Sequence, residues 1–236
     1  MSGLVIKEKD VVVPGDVLAE GMDYLPAQGT YRRDNKIIAS RLGLVTIDMR
    51  LIKIIPLSGR YLPKREDTII GEIIDITING WRLNINSAYT AMLSMKDATH
   101  EFIRKGADLT KWFDIGDYVV TSITNVTSQN LVDLTMKGPG LRKLTGGRII
   151  KVNCNKVPRI IGKGGSMVGM VKKATDCNII VGQNGFVWVQ GKPEDEVVAI
   201  EAIKMIESNS HVGGLTENVK EFLEKKTGKK LEIGGK

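Results

Sequence analysis

Residues 159–167 read Arg159-Ile160-Ile161-Gly162-Lys163-Gly164-Gly165-Ser166-Met167. They lie between two short helical patterns. One runs from Asn155 to Ile161; the other puts Met167, Met170, Val171 and Ala174 on a single face. A chain that turns between helices through a Gly-x-x-Gly loop can bring its backbone against another backbone, because no Cβ stands in the way. The second helix aims its N–H groups and its partial positive charge at whatever lies in that loop, and Lys163 adds a full charge. A phosphodiester chain fits this description. Between Asp133 and Asp176 there is no acidic residue, while Lys137, Arg142, Lys143, Arg148, Lys151, Lys156, Arg159, Lys163, Lys172 and Lys173 all fall in the gap. The plainer alternative is a solvated basic face around a glycine-rich turn. Two other phosphate loops fail on spacing. A Walker loop needs Ser or Thr where Gly164 follows Lys163, and a dinucleotide fingerprint needs a third glycine where Met167 stands.

The chain has 236 residues, 42% of them hydrophobic, which suits either one large domain or two to three small ones with real cores. A net charge of +7 favours a polyanionic partner. No stretch approaches the roughly 18 apolar residues of a membrane span, and no secretory leader pattern opens the sequence. Two cysteines, Cys154 and Cys177, and two histidines, His100 and His211, do not cluster in sequence. The expectation is a cytoplasmic protein with no membrane association, no metal and no cofactor.

Residues 1–62 read as a small β domain. Val11-Val12-Val13 runs into the turn Pro14-Gly15-Asp16, and Gly21, Gly29, Gly43 and Gly59 punctuate short β-branched runs at 37–40, 43–47 and 51–57. Its arginines, Arg32, Arg33, Arg41, Arg50 and Arg60, suit contact with a partner or plain solvation equally well. Tyr61 to Asp67 reads as a linker. In the second unit, residues 63–140, Ile74, Ile76 and Ile78 alternate with polar residues before Asn79-Gly80, a strong hairpin signal. With that dipeptide as the tight turn, Ile78 pairs with Trp81, Ile76 with Leu83 and Ile74 with Ile85, and all six share an apolar face. A polar stretch carrying Lys96, Arg104 and Lys105 follows. Strands at 118–123 and 131–136 complete a pattern that suits a five-stranded OB-type barrel.

The third unit, residues 146–211, reads strand, helix, Gly-x-x-Gly, helix, strand, turn, strand, helix. Pro193 opens the last helix, with Glu194, Asp195 and Glu196 in its first turn, which is helix-start chemistry and not a metal site. Residues 212–236 supply a short C-terminal helix from Leu215 to Lys226 and a basic, glycine-rich tail. The fold class is therefore multidomain β and α+β.

The β-α-α-β-β-α order around Gly162-Lys163-Gly164-Gly165 resembles a KH domain. Gly71-Glu72-Ile73-Ile74, Gly80-Trp81-Arg82-Leu83 and Gly116-Asp117-Tyr118-Val119-Val120 resemble the OB-type RNA-binding domain first described in ribosomal protein S-one. Pro14-Gly15-Asp16 and Gly182-Gln183-Asn184-Gly185 add two further elements. The three units in this order resemble the KH-bearing cap subunit of the RNA exosome in its archaeal form.

The resemblance implies a non-catalytic subunit that binds single-stranded RNA. Three copies sit on a hexameric ring of RNase PH-like subunits and guide the RNA 3′ end inward for degradation or tailing, with the N-terminal domain docking on the ring. It puts an RNA contact at Arg159, Gly162, Lys163, Gly164, Gly165 and Lys172, and a second at Trp81, Arg82, Lys96, Arg104 and Lys105. At Trp81 two readings conflict: the family's aromatic at this place often stacks on a base, whereas strand parity puts Trp81 in the core. The KH loop itself either meets RNA or serves as scaffold. Two other classes compete, a stand-alone RNA-binding regulator or chaperone, and a nuclease using carboxylates among Glu66, Asp67, Asp75, Asp108, Asp114 and Asp117.

Overall fold

Short runs of β-branched residues separated by glycine build the first part of the chain almost entirely from strands. The computed structural model describes residues 3–210 and 214–229, and the chain divides into two units after Gly59. In the first unit β1 (Gly3–Leu4), β3 (Val17–Glu20), β6 (Lys36–Ala39) and β5 (Thr30–Arg33) form one sheet in that order. A second sheet runs β2 (Val11–Val12), β7 (Gly43–Asp48), β8 (Leu51–Pro56), β4 (Leu25–Pro26). Alternate residues point inward, so that Val12, Leu18, Ile37, Val45, Ile52 and Ile54 make the core. Gly43 is required where β7 meets β8, because a Cβ there would lie 2.3 Å from the Ile55 carbonyl oxygen. The Pro14-Gly15 turn closes with Asp16 N–H donating to the Val13 carbonyl and Val13 N–H donating to the Asp16 carboxylate. Gly15 takes the positive φ that the third residue of such a turn needs.

In the second unit β9 (Thr68–Thr77), β10 (Gly80–Asn84), β11 (Thr90–Ser94), β12 (Tyr118–Val126) and β13 (Val132–Thr135) close into a barrel. β9 pairs with β10 and β12, β10 with β11, β11 with β13 in parallel, and β13 with β12. A single-turn helix α1 (Met95–Ala98) and a 3-10 turn at Leu109–Lys111 lie between β11 and β12. β11 falls inside the segment read from sequence as merely polar; its Ala91 and Leu93 face the core. β14 (Lys143–Leu144) adds to β12 beyond the expected end of the unit at 140.

Two expectations fail here for identifiable reasons. The hairpin turns at Ile78-Asn79, with Thr77 paired to Gly80, Trp81 to Ile76 and Arg82 to Asp75. Gly80 is needed in the strand, where a Cβ would lie 2.1 Å from the Leu93 carbonyl oxygen. Ile74 is then passed over by the register shift between Arg82 and Leu83, which pairs Leu83 with Ile73. This bulge reverses the parity of β9, so that Ile73 is buried and Ile74 is 40% exposed; Ile78 is 87% exposed because it lies in the turn. The linker is also shorter than expected. Tyr61 is buried in the barrel core and its hydroxyl donates to Asp67 at 2.5 Å. Burial, then that hydrogen bond, holds the phenol far above its ordinary pKa.

The third part follows the expected order. β15 (Arg148–Lys151), α2 (Val157–Ile161), α3 (Ser166–Thr175), β16 (Asn178–Val181), β17 (Phe186–Gln190) and α4 (Pro193–Ser208) form a three-stranded antiparallel sheet, ordered β15-β17-β16, covered by helices. α5 (Leu215–Thr227) places Leu215, Val219 and Leu223 in the same core as α3 and α4, so the C-terminal helix belongs to this domain's packing. The acidic triplet occupies the first turn of α4, where Glu196 accepts from Gly191 N–H and forms an ion pair with Arg148. His211 and the tail beyond Lys229 lie outside the described residues.

The barrel and the KH fold are joined through Gly182-Gln183-Asn184-Gly185, the turn between β16 and β17. The buried Asn184 amide donates to the carbonyls of Ile70 (2.7 Å) and Ile85 (2.9 Å) and accepts from Ile70 N–H (3.3 Å). Gln183 N–H donates to the Thr68 carbonyl, and the Asn86 side chain donates to the Asn184 carbonyl. Around this seam Ile70, Val120, Leu144, Phe186 and Trp188 form an apolar cluster shared by both domains. Replacing Asn184 by Ala leaves buried strand groups unpaired, so the expected loss is on the order of 2–4 kcal/mol of unfolding free energy, measured by urea denaturation. A loss below about 0.5 kcal/mol would mean that water replaces the amide there.

Candidate nucleic-acid interface

The Gly-x-x-Gly loop is shaped by its glycines. Gly162 leaves α2 at φ 75°, Gly164 sits at φ 60°, and Gly165 enters α3 at φ 80°. All three values lie where side chains with a Cβ are strained. The positions differ in space. A Cβ at Gly162 would lie 2.7 Å from the Cβ of Met167, whereas a Cβ at Gly164 or Gly165 meets nothing within 4 Å. The loop is tight on its inner side and open on its outer side.

Lys163, Gly164 and Ser166 are exposed, and Met167 beneath them is buried. No side chain caps the first turn of α3. This leaves a helix N-terminus beside a lysine and a bare backbone, an arrangement that suits a negatively charged oxygen. Arg159 stands exposed in the last turn of α2, on the approach to the loop. Lys172 is exposed in the last turn of α3, about 9 Å along the helix from Ser166 at the rise of a regular helix. A ligand that touches both the loop and Lys172 must therefore run along α3. Lys156, within the acid-free stretch, is committed elsewhere: its ammonium donates to the Glu207 carbonyl at 2.8 Å. The seam with the barrel is made by the β16–β17 turn and not by the Gly-x-x-Gly loop.

The barrel residues do not form one group. Arg82 projects from the outer wall of β10, with its guanidinium 3.6 Å from the Asp75 carboxylate. Lys96, Arg104 and Lys105 are exposed on the connection between β11 and β12. The same connection carries Phe102, 87% exposed and not singled out by the sequence reading, because adjacent Phe102 and Ile103 are indistinguishable there as core candidates.

Trp81 is removed from the surface set. It is 0% exposed, its indole N–H donates to the Phe113 carbonyl at 3.0 Å, and its ring meets Phe113 edge-on at a centroid distance of 5.2 Å. A ring enclosed and hydrogen-bonded in this way offers no face to a base; strand parity, and not the family habit, describes this residue. In the first unit Arg32 is likewise spent internally, donating to the carbonyls of Gly21 and Tyr24.

Most of the carboxylates considered for a nuclease site have local duties. Asp67 accepts from Tyr61, Asp75 pairs with Arg82, and Asp117 accepts from Asp114 N–H and pairs with Lys143. Asp108 accepts from the hydroxyl and amide of Thr110, which hold its carboxyl below the usual range. Among the described residues, no three His, Cys, Asp or Glu side chains come together in a metal-binding group.

The burial of Trp81 yields a direct expectation. Trp81→Ala should cost about 3–5 kcal/mol of stability, while Trp81→Phe, refolded and checked by circular dichroism, should leave RNA affinity unchanged in a fluorescence-polarisation titration. A selective loss of RNA affinity in a well-folded Trp81→Phe would return the ring to the interface.

Comparison with known proteins gives a consistent picture. A family model described as the Exosome complex exonuclease RRP4 N-terminal region matches residues 11–48, and a KH domain model matches residues 147–195. The exosome complex component Rrp4 of Methanothermobacter thermautotrophicus is 44% identical over 230 residues, covering 98% of this chain and 73% of that protein. The corresponding protein of Pyrococcus furiosus is 43% identical over 227 residues, covering 94% and 86%. A crystal structure of a "putative exosome complex RNA-binding protein" superposes with a TM-score of 0.64 at 31% identity, covering 71% of this chain and 97% of that one. With this identity sustained along nearly the whole chain, the protein belongs to the Rrp4 family of exosome complex components.

Proposed function

We propose that this chain is a non-catalytic, RNA-binding cap subunit of an exosome. In this reading it works in the cytoplasm, recruits single-stranded RNA and guides the 3′ end into a hexameric ring of RNase PH-like subunits, for degradation or tailing, with three copies on each ring. The N-terminal unit docks on the ring, and the barrel and KH domain face the incoming RNA.

The observation that carries this reading is the open outer side of the Gly-x-x-Gly loop, where a Cβ at Gly164 or Gly165 meets nothing within 4 Å. Membership of the Rrp4 family supports the assembly part. Phosphate contacts through backbone amides and lysines give affinity without sequence reading, which suits a machine that must accept many RNAs. Weak sites on the KH loop and on the barrel connection, repeated in three copies, gain avidity through effective concentration.

The test is binding of labelled oligo-A RNA at two salt concentrations by the intact chain, Lys163→Ala, and Lys163→Asp combined with Gly164→Asp. The open space at Gly164 lets the doubled carboxylates be introduced without a clash, and circular dichroism checks the fold. Lys163→Ala should reduce the salt slope by about one unit and weaken all sequences alike. The doubly acidic variant should lose most of its affinity. Unchanged binding by both variants would make the loop a scaffold and move the RNA to the barrel. Sedimentation of the chain with a purified RNase PH-type ring tests the assembly; a chain that remains a monomer beside the ring would favour the stand-alone RNA-binding regulator.

A further inference from the structure

We propose that Phe102 is a base-stacking platform for single-stranded RNA, taking the place on the barrel that buried Trp81 does not fill. The inference rests on the reading of the chain as an RNA-binding protein. Among the described aromatic side chains Phe102 is the most exposed, at 87%. Single exposed apolar residues are common on protein surfaces and need no function, so the argument turns on how this ring is held and what surrounds it.

The ring is presented by an ordered segment. Ile103, its neighbour, is 7% exposed and packs in the barrel core. On one side the Thr99 hydroxyl donates to the Glu101 carbonyl at 2.9 Å. On the other, Ala107 N–H donates to the Arg104 carbonyl at 3.1 Å, closing a turn in which Gly106 takes φ 82°. Ile103 thus pins the chain from beneath and leaves the phenyl ring facing water.

The company is that of a nucleic-acid contact. Arg104 and Lys105 follow the ring directly, His100 precedes it by two residues, and Lys96 stands on α1 just before. Among the described residues no carboxylate forms an ion pair with Lys96, Arg104 or Lys105. Of the nearby acids, Asp97 accepts from the Ser94 hydroxyl and the exposed Asp108 accepts from Thr110, while Glu101 is an exposed carboxylate directly before the ring. An exposed aromatic ring on a segment that also carries exposed cations without ion pairs matches the way sequence-tolerant proteins hold single strands: bases stack on the ring while phosphates meet the charges. A protein partner with an apolar pocket would use the ring but not the cations, so RNA is the occupant the surroundings favour.

The experiment compares the intact chain with Phe102→Ala and Phe102→Tyr on two ligands, a short oligo-A RNA and an abasic ribose-phosphate strand of the same length. Phe102→Ala should bind oligo-A on the order of tenfold more weakly while leaving the abasic strand unaffected, and Phe102→Tyr should restore oligo-A binding. Thermal melts confirm that each variant folds. Equal oligo-A affinity for the intact chain and Phe102→Ala overturns the proposal and leaves the RNA-binding reading standing. Equal weakening on both ligands overturns stacking in favour of a general distortion of the loop. Unchanged RNA affinity of Phe102→Ala, with weakened co-sedimentation with a purified RNase PH-type ring, makes Phe102 a protein contact and overturns it too. Failure of the intact chain to bind either strand overturns the functional reading itself, and the proposal with it.

Discussion

The side-chain amide of Asn184 carries the relation between the barrel and the KH domain. It reaches from a tight turn of the KH fold into the barrel and satisfies groups on two strands, at Ile70 and Ile85. The turn can approach the barrel so closely only because Gly182, at its start, lacks a Cβ, whereas Gly185 serves a close approach within the KH domain itself. A Cβ at Gly182 would lie 2.9 Å from Ile70 N, and one at Gly185 would lie 2.3 Å from the Val152 carbonyl oxygen. Burying a polar group is costly unless it is paired, and a fully paired one fixes a single geometry. The apolar cluster of Ile70, Val120, Leu144, Phe186 and Trp188 then seals the seam. Barrel and KH domain become one body with two separated exposed basic features.

That arrangement explains why the two glycine motifs of the KH domain do different work. Gly182 to Gly185 face protein, and their freedom from Cβ serves domain packing. Gly164 and Gly165 face open space, where the same freedom leaves the backbone accessible. Inside the barrel the same division holds: Trp81 is used for stability, and the ring left in water is Phe102 on the connecting segment. A base-stacking role assigned by position along the hairpin thus fails at Trp81, and exposure with neighbouring charge is what recommends Phe102 in its place.

The sequence was most legible where signals are local. The strand and helix order of the KH domain, the start of α4 at Pro193 and the apolar face of α3 all follow from spacing within a few residues. The barrel hairpin departs from its expected pairing because the turn falls at Ile78-Asn79 and a bulge at Ile74 then inverts the alternation; nothing in the run Ile73-Ile74-Asp75-Ile76 marks which isoleucine is passed over. β11 was missed because only Ala91 and Leu93 face inward and the rest of the segment is polar. The role of Asn184 was out of reach, since its partner Ile70 lies 114 residues away. The Trp81 conflict was visible in the sequence, and the stronger argument was the physical one of strand parity. Exposure of Phe102 against burial of Ile103 is a tertiary fact that no local pattern encodes.

The central claim is that RNA engages the KH loop and the barrel connection while the seam between the domains stays unchanged. Hydrogen exchange of the intact chain, with and without saturating oligo-A RNA, tests it directly. The account predicts slowed exchange at 162–172 and at 99–107, with no change at 68–71 and 182–186. Slowed exchange confined to the seam, or absent from both exposed segments in RNA-bound protein, would contradict it.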